Sequence, residues 1–260
     1  MSDPDSASIQ AHSHFIRHRN VLMVTAELSP LYVDYYLHLN DTGLRPEPQH
    51  DEMEKDLLAI ILLYATSRPW NEQFAWTLNF QDPLVNLFAA ADNEEGSIIG
   101  TLFEDGVKES PHSMFYSESV RGNQPRHRSV VEFATSDVLT ACEQFFSQSE
   151  QRTTRLFSLP NEKYIMLAAQ PDYDQDWLQS LKLSDMVSLR AQEECSPLEN
   201  RTYQWKCVCS QDAILRLAAA TNQDDELFGG EDSLAATCPR CGRKYRLTRE
   251  MVEAYKANQD

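Results

Sequence analysis

The chain has 260 residues, which is enough for one sizeable core and a small second unit. Hydrophobic residues make up 42%, aromatic residues 10%, and only 8 residues are glycine, so collagen-like and wholly disordered classes are excluded. The formal net charge of −17 at pH 7 argues against nucleic acid and anionic membranes as partners, because both repel a negative protein.

The sequence also indicates a compartment. The N-terminal stretch "MSDPDSASIQAHSH" has neither the cationic start nor the apolar run of a secretory signal. The longest apolar run, "LLAIILLYA", has nine residues, whereas a membrane helix needs about 20. We therefore expect a cytoplasmic protein. In a reducing cytoplasm, closely spaced cysteines indicate metal or redox chemistry more often than structural disulfides.

The first predicted elements follow a polar tail, residues 1–14, which we expect to be disordered. A strand is predicted over Asn20–Leu28, followed by a helix with Ser29 as N-cap and Pro30 in its first turn. A long helix is predicted from Asp51 to about Ser67. Strands then follow in the order "FAWTLNF", "LVNLFAAA", "SIIGTLFED", Met114–Ser119 and Ser129–Phe133.

An amphipathic helix is predicted over "TSDVLTACEQFFSQSEQ", capped by Thr135 or Ser136. Cys142 lies on its apolar stripe and is interpreted as a buried, inert thiol. Two more strands, "TRLFSL" and "YIMLAA", complete the unit. The fold class is therefore α+β, with residues 15–170 forming a mixed core domain in which helices pack on a β-sheet.

Residues 171–204 are acidic and only moderately apolar, and they are interpreted as a metastable linker with weak helices around Trp177 and Met186. Nearby glutamates should blunt the reactivity of Cys195. The histidines of "HSHFIRH" are assigned to a solvated tail rather than a metal site. The sequence contains no phosphate-binding glycine loop, no paired-carboxylate site and no Ser/His/Asp spacing that supports catalysis, so we do not expect an enzyme.

Residues 205–260 contain four of the six cysteines and form the predicted zinc-binding domain. Cys207 and Cys209 form a C-x-C pair, and residues i and i+2 of an extended segment project to the same side. Cys238 and Cys241 flank a tight turn in "CPRCG". Four thiolates make a closed tetrahedral zinc site with no open position, so one Zn²⁺ per chain is predicted and hydrolytic zinc chemistry is not.

Basic residues surround this motif although the chain as a whole is acidic. A zinc ion with four thiolates carries a net charge of −2, which basic side chains compensate; a nucleic-acid patch is the alternative reading. The basic residues are Lys206, Arg240, Arg243, Lys244, Arg246 and Arg249. A segment this small depends on its metal for folding, since structural zinc contributes about 10–16 kcal/mol in small peptides.

At this point the sequence resembles the redox-regulated 33-kDa heat-shock chaperone family, whose members hold unfolding proteins without ATP. The shared pattern is C-x-C, the short helix "SQDAILRLAAA", C-x-x-C and the helix "REMVEAYK". The stretch "DVLTACEQFFSQSEQRTTRLFSL" is similar to the family's helix, corner and strand, and the resemblance extends from about Phe15 to the end.

The resemblance implies that Cys207, Cys209, Cys238 and Cys241 bind zinc in an inactive reduced state. Oxidation to the disulfides Cys207–Cys209 and Cys238–Cys241 would release zinc, unfold the zinc-binding domain and linker, and expose a surface for unfolding client proteins, with homodimer formation.

Two other functions remain open from the residues. An interaction protein with a static structural zinc ribbon would keep its zinc under mild peroxide. A thiol oxidoreductase would place C-x-x-C at a helix N-terminus after a strand, whereas "CPRCGRKYRL" indicates a turn followed by a strand.

Overall fold

The computed structural model describes residues 8–220 and 227–257. They form a ten-stranded sheet, a two-stranded sheet and a set of helices. The strands are β1 (Ile9–Ile16), β2 (Val21–Glu27), β3 (Glu72–Gln81), β4 (Leu84–Asp92), β5 (Ser97–Phe103), β6 (Ser113–Arg121), β7 (His127–Phe133), β8 (Thr154–Leu159), β9 (Lys163–Ala169), β10 (Cys195–Trp205), β11 (Ser233–Thr237) and β12 (Lys244–Thr248). The helices are α1 (Ser29–Thr42), α2 (Pro48–Thr66), α3 (Val138–Gln148), α4 (Gln175–Ser180), α5 (Leu189–Gln192), α6 (Gln211–Ala219) and α7 (Arg249–Ala257).

The large sheet has the order β7-β6-β3-β4-β5-β10-β1-β2-β9-β8. All neighbours are antiparallel except β5 and β10, which run parallel and pair through Gln204–Ser97 and Trp205–Ile98. This short parallel junction joins two five-stranded halves of the sheet. The α+β fold class is confirmed, since nearly all strand pairs are antiparallel and the helices pack on the sheet.

Helix α2 lies at the centre of the core because its apolar residues surround the helix axis. Every residue from Leu57 to Ala65 is buried, and the helix contacts strands from both halves of the sheet. Above it, Trp76 is fully buried and packs edge-on against Phe115 at 5.3 Å between ring centroids, while Phe115 stacks on Phe145 of α3 at 4.2 Å. These aromatic contacts hold α3 against the inner face of the sheet.

The predicted tail over residues 1–14 is wrong from Ile9 onward. Residues 9–16 form β1, which lies between β10 and β2 in the middle of the sheet. Its polar side chains have partners on β10: His12 Nδ1 lies 2.7 Å from Asn200 Oδ1, and Gln10 donates to Thr202 Oγ1 at 2.8 Å. The described chain starts at residue 8, so residues 1–7 lie outside it.

The predicted linker over residues 171–204 contains regular structure. Its weak helices are confirmed as α4 and a 3-10 helix over Leu183–Val187, whose residues pack with α5 in a second apolar cluster beneath β2 and β9. Its last part is wrong as linker, because β10 is a central strand of the sheet. The metastability of this segment remains a prediction.

The other predicted elements are confirmed with shifted ends. Helix α1 begins at Ser29 with Leu28 as N-cap, one residue before the predicted cap. Asp137 rather than Thr135 or Ser136 caps α3, since its carboxylate accepts from the Thr140 backbone N–H at 2.7 Å. Among the described helices, none is long and apolar enough to cross a membrane.

Candidate metal centre

The four predicted cysteines converge. The sulfurs of Cys207, Cys209, Cys238 and Cys241 all lie within 4.8 Å of one another. The distance from Cys207 Sγ to Cys238 Sγ is 3.9 Å, and that from Cys209 Sγ to Cys241 Sγ is 3.5 Å. Each of these close contacts joins one motif to the other, so the C-x-C and C-x-x-C pairs face the same point.

Two local structures position the sulfurs. Strand β10 ends at Trp205, and Cys207 and Cys209 lie in the segment between it and α6, which is neither helix nor strand. We call residues 238–243 the cysteine knuckle. It is closed by the Gly242 N–H donating to Cys238 O at 2.9 Å and the Cys238 N–H donating to Arg243 O at 2.8 Å. Gly242 has φ +72, the left-handed conformation that favours glycine, so this turn depends on it.

The donor set and the distances fit a tetrahedral metal. A metal with four sulfurs at about 2.3 Å requires sulfur–sulfur separations of about 3.8 Å. The two measured contacts, 3.9 and 3.5 Å, lie close to this value. Cys238 and Cys241 are buried and the other two are half-buried, so water has little access. The cluster can hold a metal ion, and all-sulfur ligation favours zinc or another soft metal.

Hydrogen bonds in the cluster favour the charged form of one sulfur, that of Cys238, and raise the pKa values of its partners Cys207 and Cys241. The Cys207 thiol and the Cys241 thiol lower the pKa of Cys238, and the backbone N–H groups of Arg240 and Cys241 lower it further. The Tyr245 hydroxyl donates to Cys209 Sγ at 3.1 Å. These donors lie where a ligand thiolate needs them, in the second shell that orients metal ligands.

The predicted basic cluster is partly engaged elsewhere. Lys206 pairs with Glu95 at 2.9 Å, and the Arg249 guanidinium donates to the Glu231 carbonyl at 2.9 Å. These two side chains are therefore committed to core and hairpin contacts. Backbone N–H groups also compensate the negative charge of the sulfurs: those of Arg240 and Cys241 bond Cys238, and that of Arg243 bonds Cys241.

The C-terminal unit that carries the candidate metal site, called the metal-bearing unit below, has a small apolar core of its own. It consists of α6, α7 and the β11–β12 hairpin. Its buried apolar residues outside the cysteine cluster are Ile214, Ala218, Phe228, Leu247 and Val252. A cluster of this size provides little folding free energy compared with that of the large domain.

The cysteine cluster lies against the core domain, a contact that the sequence did not indicate. Cys238 and Cys241 pack with Ala90 and Ile99 on the face of the sheet opposite α2. The buried ring of His38 on α1 reaches the knuckle, with Nε2 2.6 Å from Cys241 O. A single histidine in a helix has no recognisable motif, so only the structure identifies it.

The remaining candidates lie away from the cluster. Cys142 is buried on α3 as predicted, and burial raises the pKa of its thiol well above the ordinary value; its inertness stays a prediction. Burial rather than the neighbouring glutamates is the main cause of the raised pKa of Cys195. The solvated-tail reading of His12 and His14 is wrong, because both lie on β1 and His14 is buried.

Comparison with known proteins found a match in structure but none in sequence. No family model matches the sequence, and no curated protein matches it. A crystal structure of the 33 kDa chaperonin (heat shock protein 33 homolog) from Thermotoga maritima matches the fold with a TM-score of 0.70. The match covers 96% of this chain and 98% of that one at 11% sequence identity. This chain therefore has the fold of the 33 kDa heat-shock chaperonin, as the sequence resemblance implied.

Proposed function

We propose that this protein is a redox-regulated, ATP-independent holdase chaperone of the cytoplasm and not an enzyme. In the reduced state Cys207, Cys209, Cys238 and Cys241 bind one Zn²⁺ and the protein is inactive. Oxidation forms the disulfides Cys207–Cys209 and Cys238–Cys241 and releases zinc. The part of the linker that precedes β10 and the metal-bearing unit then unfold, and the oxidised protein dimerises and holds unfolding clients.

The observation that carries this proposal is a four-sulfur cluster in a unit with little core of its own, on the fold of a chaperonin. Because metal binding provides most of the folding free energy of such a unit, losing the metal unfolds it. Oxidation is a specific way to remove the metal, since a disulfide sulfur is a poor ligand. The cluster thereby converts a redox change into a change of folded state.

The redox step balances with peroxide as the oxidant. Four thiolates give up four electrons as two S–S bonds form. Two molecules of hydrogen peroxide accept those electrons together with four solvent protons, which produces four waters. The disulfide sulfurs are neutral and poor ligands, so zinc leaves as the divalent ion.

The test is a peroxide titration of the reduced, zinc-loaded protein. A colorimetric chelator reports released zinc, and light scattering reports suppression of aggregation of a denatured model protein. We expect one zinc per chain to leave as suppression appears, and dithiothreitol with added zinc to reverse both. Cys142→Ser should behave as the wild type, whereas Cys238→Ser should lack stable zinc before any oxidant is added.

Two outcomes contradict the proposal. Zinc that remains bound while peroxide oxidises other thiols would favour a static structural ribbon on an interaction protein. Zinc that leaves without any suppression of aggregation would show that the cluster responds to oxidation but does not control a holdase.

A further inference from the structure

The cysteine knuckle is attached to the core domain by one buried hydrogen bond. His38 Nε2 lies 2.6 Å from the carbonyl oxygen of Cys241, and the His38 ring is 8% exposed. Because a carbonyl only accepts, Nε2 carries the hydrogen and donates it. Cys241 is itself completely buried, so its carbonyl would lose this partner without gaining water if His38 were removed.

The knuckle fits closely into the surface around His38. A Cβ added to Gly242 would lie 2.8 Å from Leu44 Cδ1 and 3.1 Å from Thr101 Oγ1, closer than side chains normally approach. Leu44 follows α1 and Thr101 lies on β5, so the knuckle sits in a notch between a core helix and the sheet. Such close packing requires the turn that the knuckle adopts in the folded state.

Trp205 connects this notch to the other cysteine pair. Its ring lies 5.7 Å from the His38 ring and 5.6 Å from the Tyr35 ring, measured between centroids. Trp205 is the last residue of β10, two positions before Cys207. The side chain of His38 thus contacts the segment that supplies C-x-C and bonds the segment that supplies C-x-x-C.

We propose that His38 is a positioning residue that fastens the cysteine knuckle to the core domain and thereby couples metal retention to docking of the metal-bearing unit. The proposal rests on the proposed function, and it identifies the hydrogen bond from His38 to the Cys241 carbonyl as the link between metal binding and the core domain. The knuckle presents the Cys241 carbonyl to His38 only while the turn is held in place, and the metal holds it there.

Coupling of this kind is reciprocal. Because, as proposed, the knuckle docks only while the metal holds its turn, weakening the docking must weaken metal binding by the same factor. A residue that only filled space in α1 would change the stability of the core and leave the metal affinity unaltered. The change in knuckle opening and the change in the metal dissociation constant can be measured separately, so their agreement is a direct test.

The test uses three variants of the full, reduced, zinc-loaded chain. His38→Phe keeps an aromatic ring against Trp205 but removes the donor. His38→Gln retains an N–H donor at a similar distance from the backbone. His127→Phe, on the exposed face of β7, is the matched control for loss of a histidine.

Two measurements are made on each variant. Hydrogen exchange of the Cys238 and Gly242 amides, both bonded within the knuckle, reports its opening. Competition with a chelator gives the zinc dissociation constant. For His38→Phe we expect both quantities to rise by about tenfold, which corresponds to about 1.4 kcal/mol. His38→Gln should restore both to within about twofold of the wild type, and His127→Phe should alter neither.

Three results would overturn the inference: unchanged exchange in His38→Phe, faster exchange with an unchanged zinc dissociation constant, or a His38→Gln variant as defective as His38→Phe. A parallel thermal melt of the core distinguishes general unfolding from undocking. None of these measurements uses an oxidant or a client protein. The inference can therefore fail while the holdase proposal stands, and the reverse also holds.

Discussion

The completely buried Glu54 provides the sharpest test of the energetics of the core. Glu54 lies on α2 beneath β5, where a Cβ on Gly100 would collide with Glu54 Oε1. Within the described chain neither of its carboxylate oxygens has a well-formed hydrogen bond. Burial, aided by the nearby charge of Asp51, raises its pKa well above 4.5, while the Phe88 N–H opposes this only weakly.

The raised pKa of Glu54 makes the folded state less stable as the pH rises. A carboxyl whose pKa is higher in the folded state must take up a proton on folding. This uptake costs folding free energy; the cost is absent below about pH 4.5 and grows as the pH rises. Each pH unit contributes about 1.4 kcal/mol, so proton uptake limits the penalty at pH 7 to about 3 kcal/mol. Glu54→Gln removes this penalty and adds a roughly pH-independent cost for the buried amide.

The measurement is urea unfolding at pH 5, 6 and 7, followed by tryptophan fluorescence. We expect the difference in unfolding free energy between Glu54→Gln and the wild type to increase from pH 5 to pH 7 in favour of the variant, with an upper limit of about 3 kcal/mol set by the uptake of one proton. The exposed Glu52 on the same helix supplies the control, and Glu52→Gln should shift stability by less than about 0.5 kcal/mol at every pH. Parallel stability curves for Glu54→Gln and the wild type would refute the reasoning.

Four further predictions concern the metal unit and the core. A strong chelator should abolish hydrogen-exchange protection in residues 206–220 and 227–257 while β1–β10 stay protected, because a metal bound to four cysteines would provide most of the stability of so small a unit. Tyr245→Phe removes the hydroxyl that donates to Cys209 Sγ, and chelator competition should show zinc binding weakened by about tenfold. The buried Cys142 thiol should react with Ellman's reagent only after the core unfolds, and Cys142→Ala should keep one zinc per chain. Trp76→Ala should lower the unfolding free energy of the core by about 3–5 kcal/mol in urea titrations, since the ring is fully buried among aromatic neighbours.

Local patterns in the sequence were sufficient for the elements that are apolar on their own. The alternation of Phe74, Trp76, Leu78 and Phe80 predicts β3, and the structure buries all four side chains. The paired cysteines likewise predicted their own convergence, since their spacing alone limits which sulfurs can meet. For β3 the information lies within the strand itself, and for the cysteines it lies in two short motifs about 30 residues apart.

The strands β1 and β10 could not be recognised in the same way. Each contains several polar residues, and the two pair with each other across about 190 residues of sequence, as in the pair His12–Asn200. Read alone, such segments have the composition of a tail and a linker. The contact of His38 with the knuckle is similarly invisible, because it depends on how α1 and the metal-bearing unit meet in space.

The position of β10 has a consequence for how the chain matures during synthesis. The other nine strands of the large sheet have all been made by Ala169, but the strand that joins the two halves ends only at Trp205. At translation rates of roughly 5–20 residues per second, a nascent chain spends about 2–7 seconds with β1 and β5 as unpaired edges. Open edges of this kind pair with other chains, so the nascent protein is most prone to aggregation during this interval.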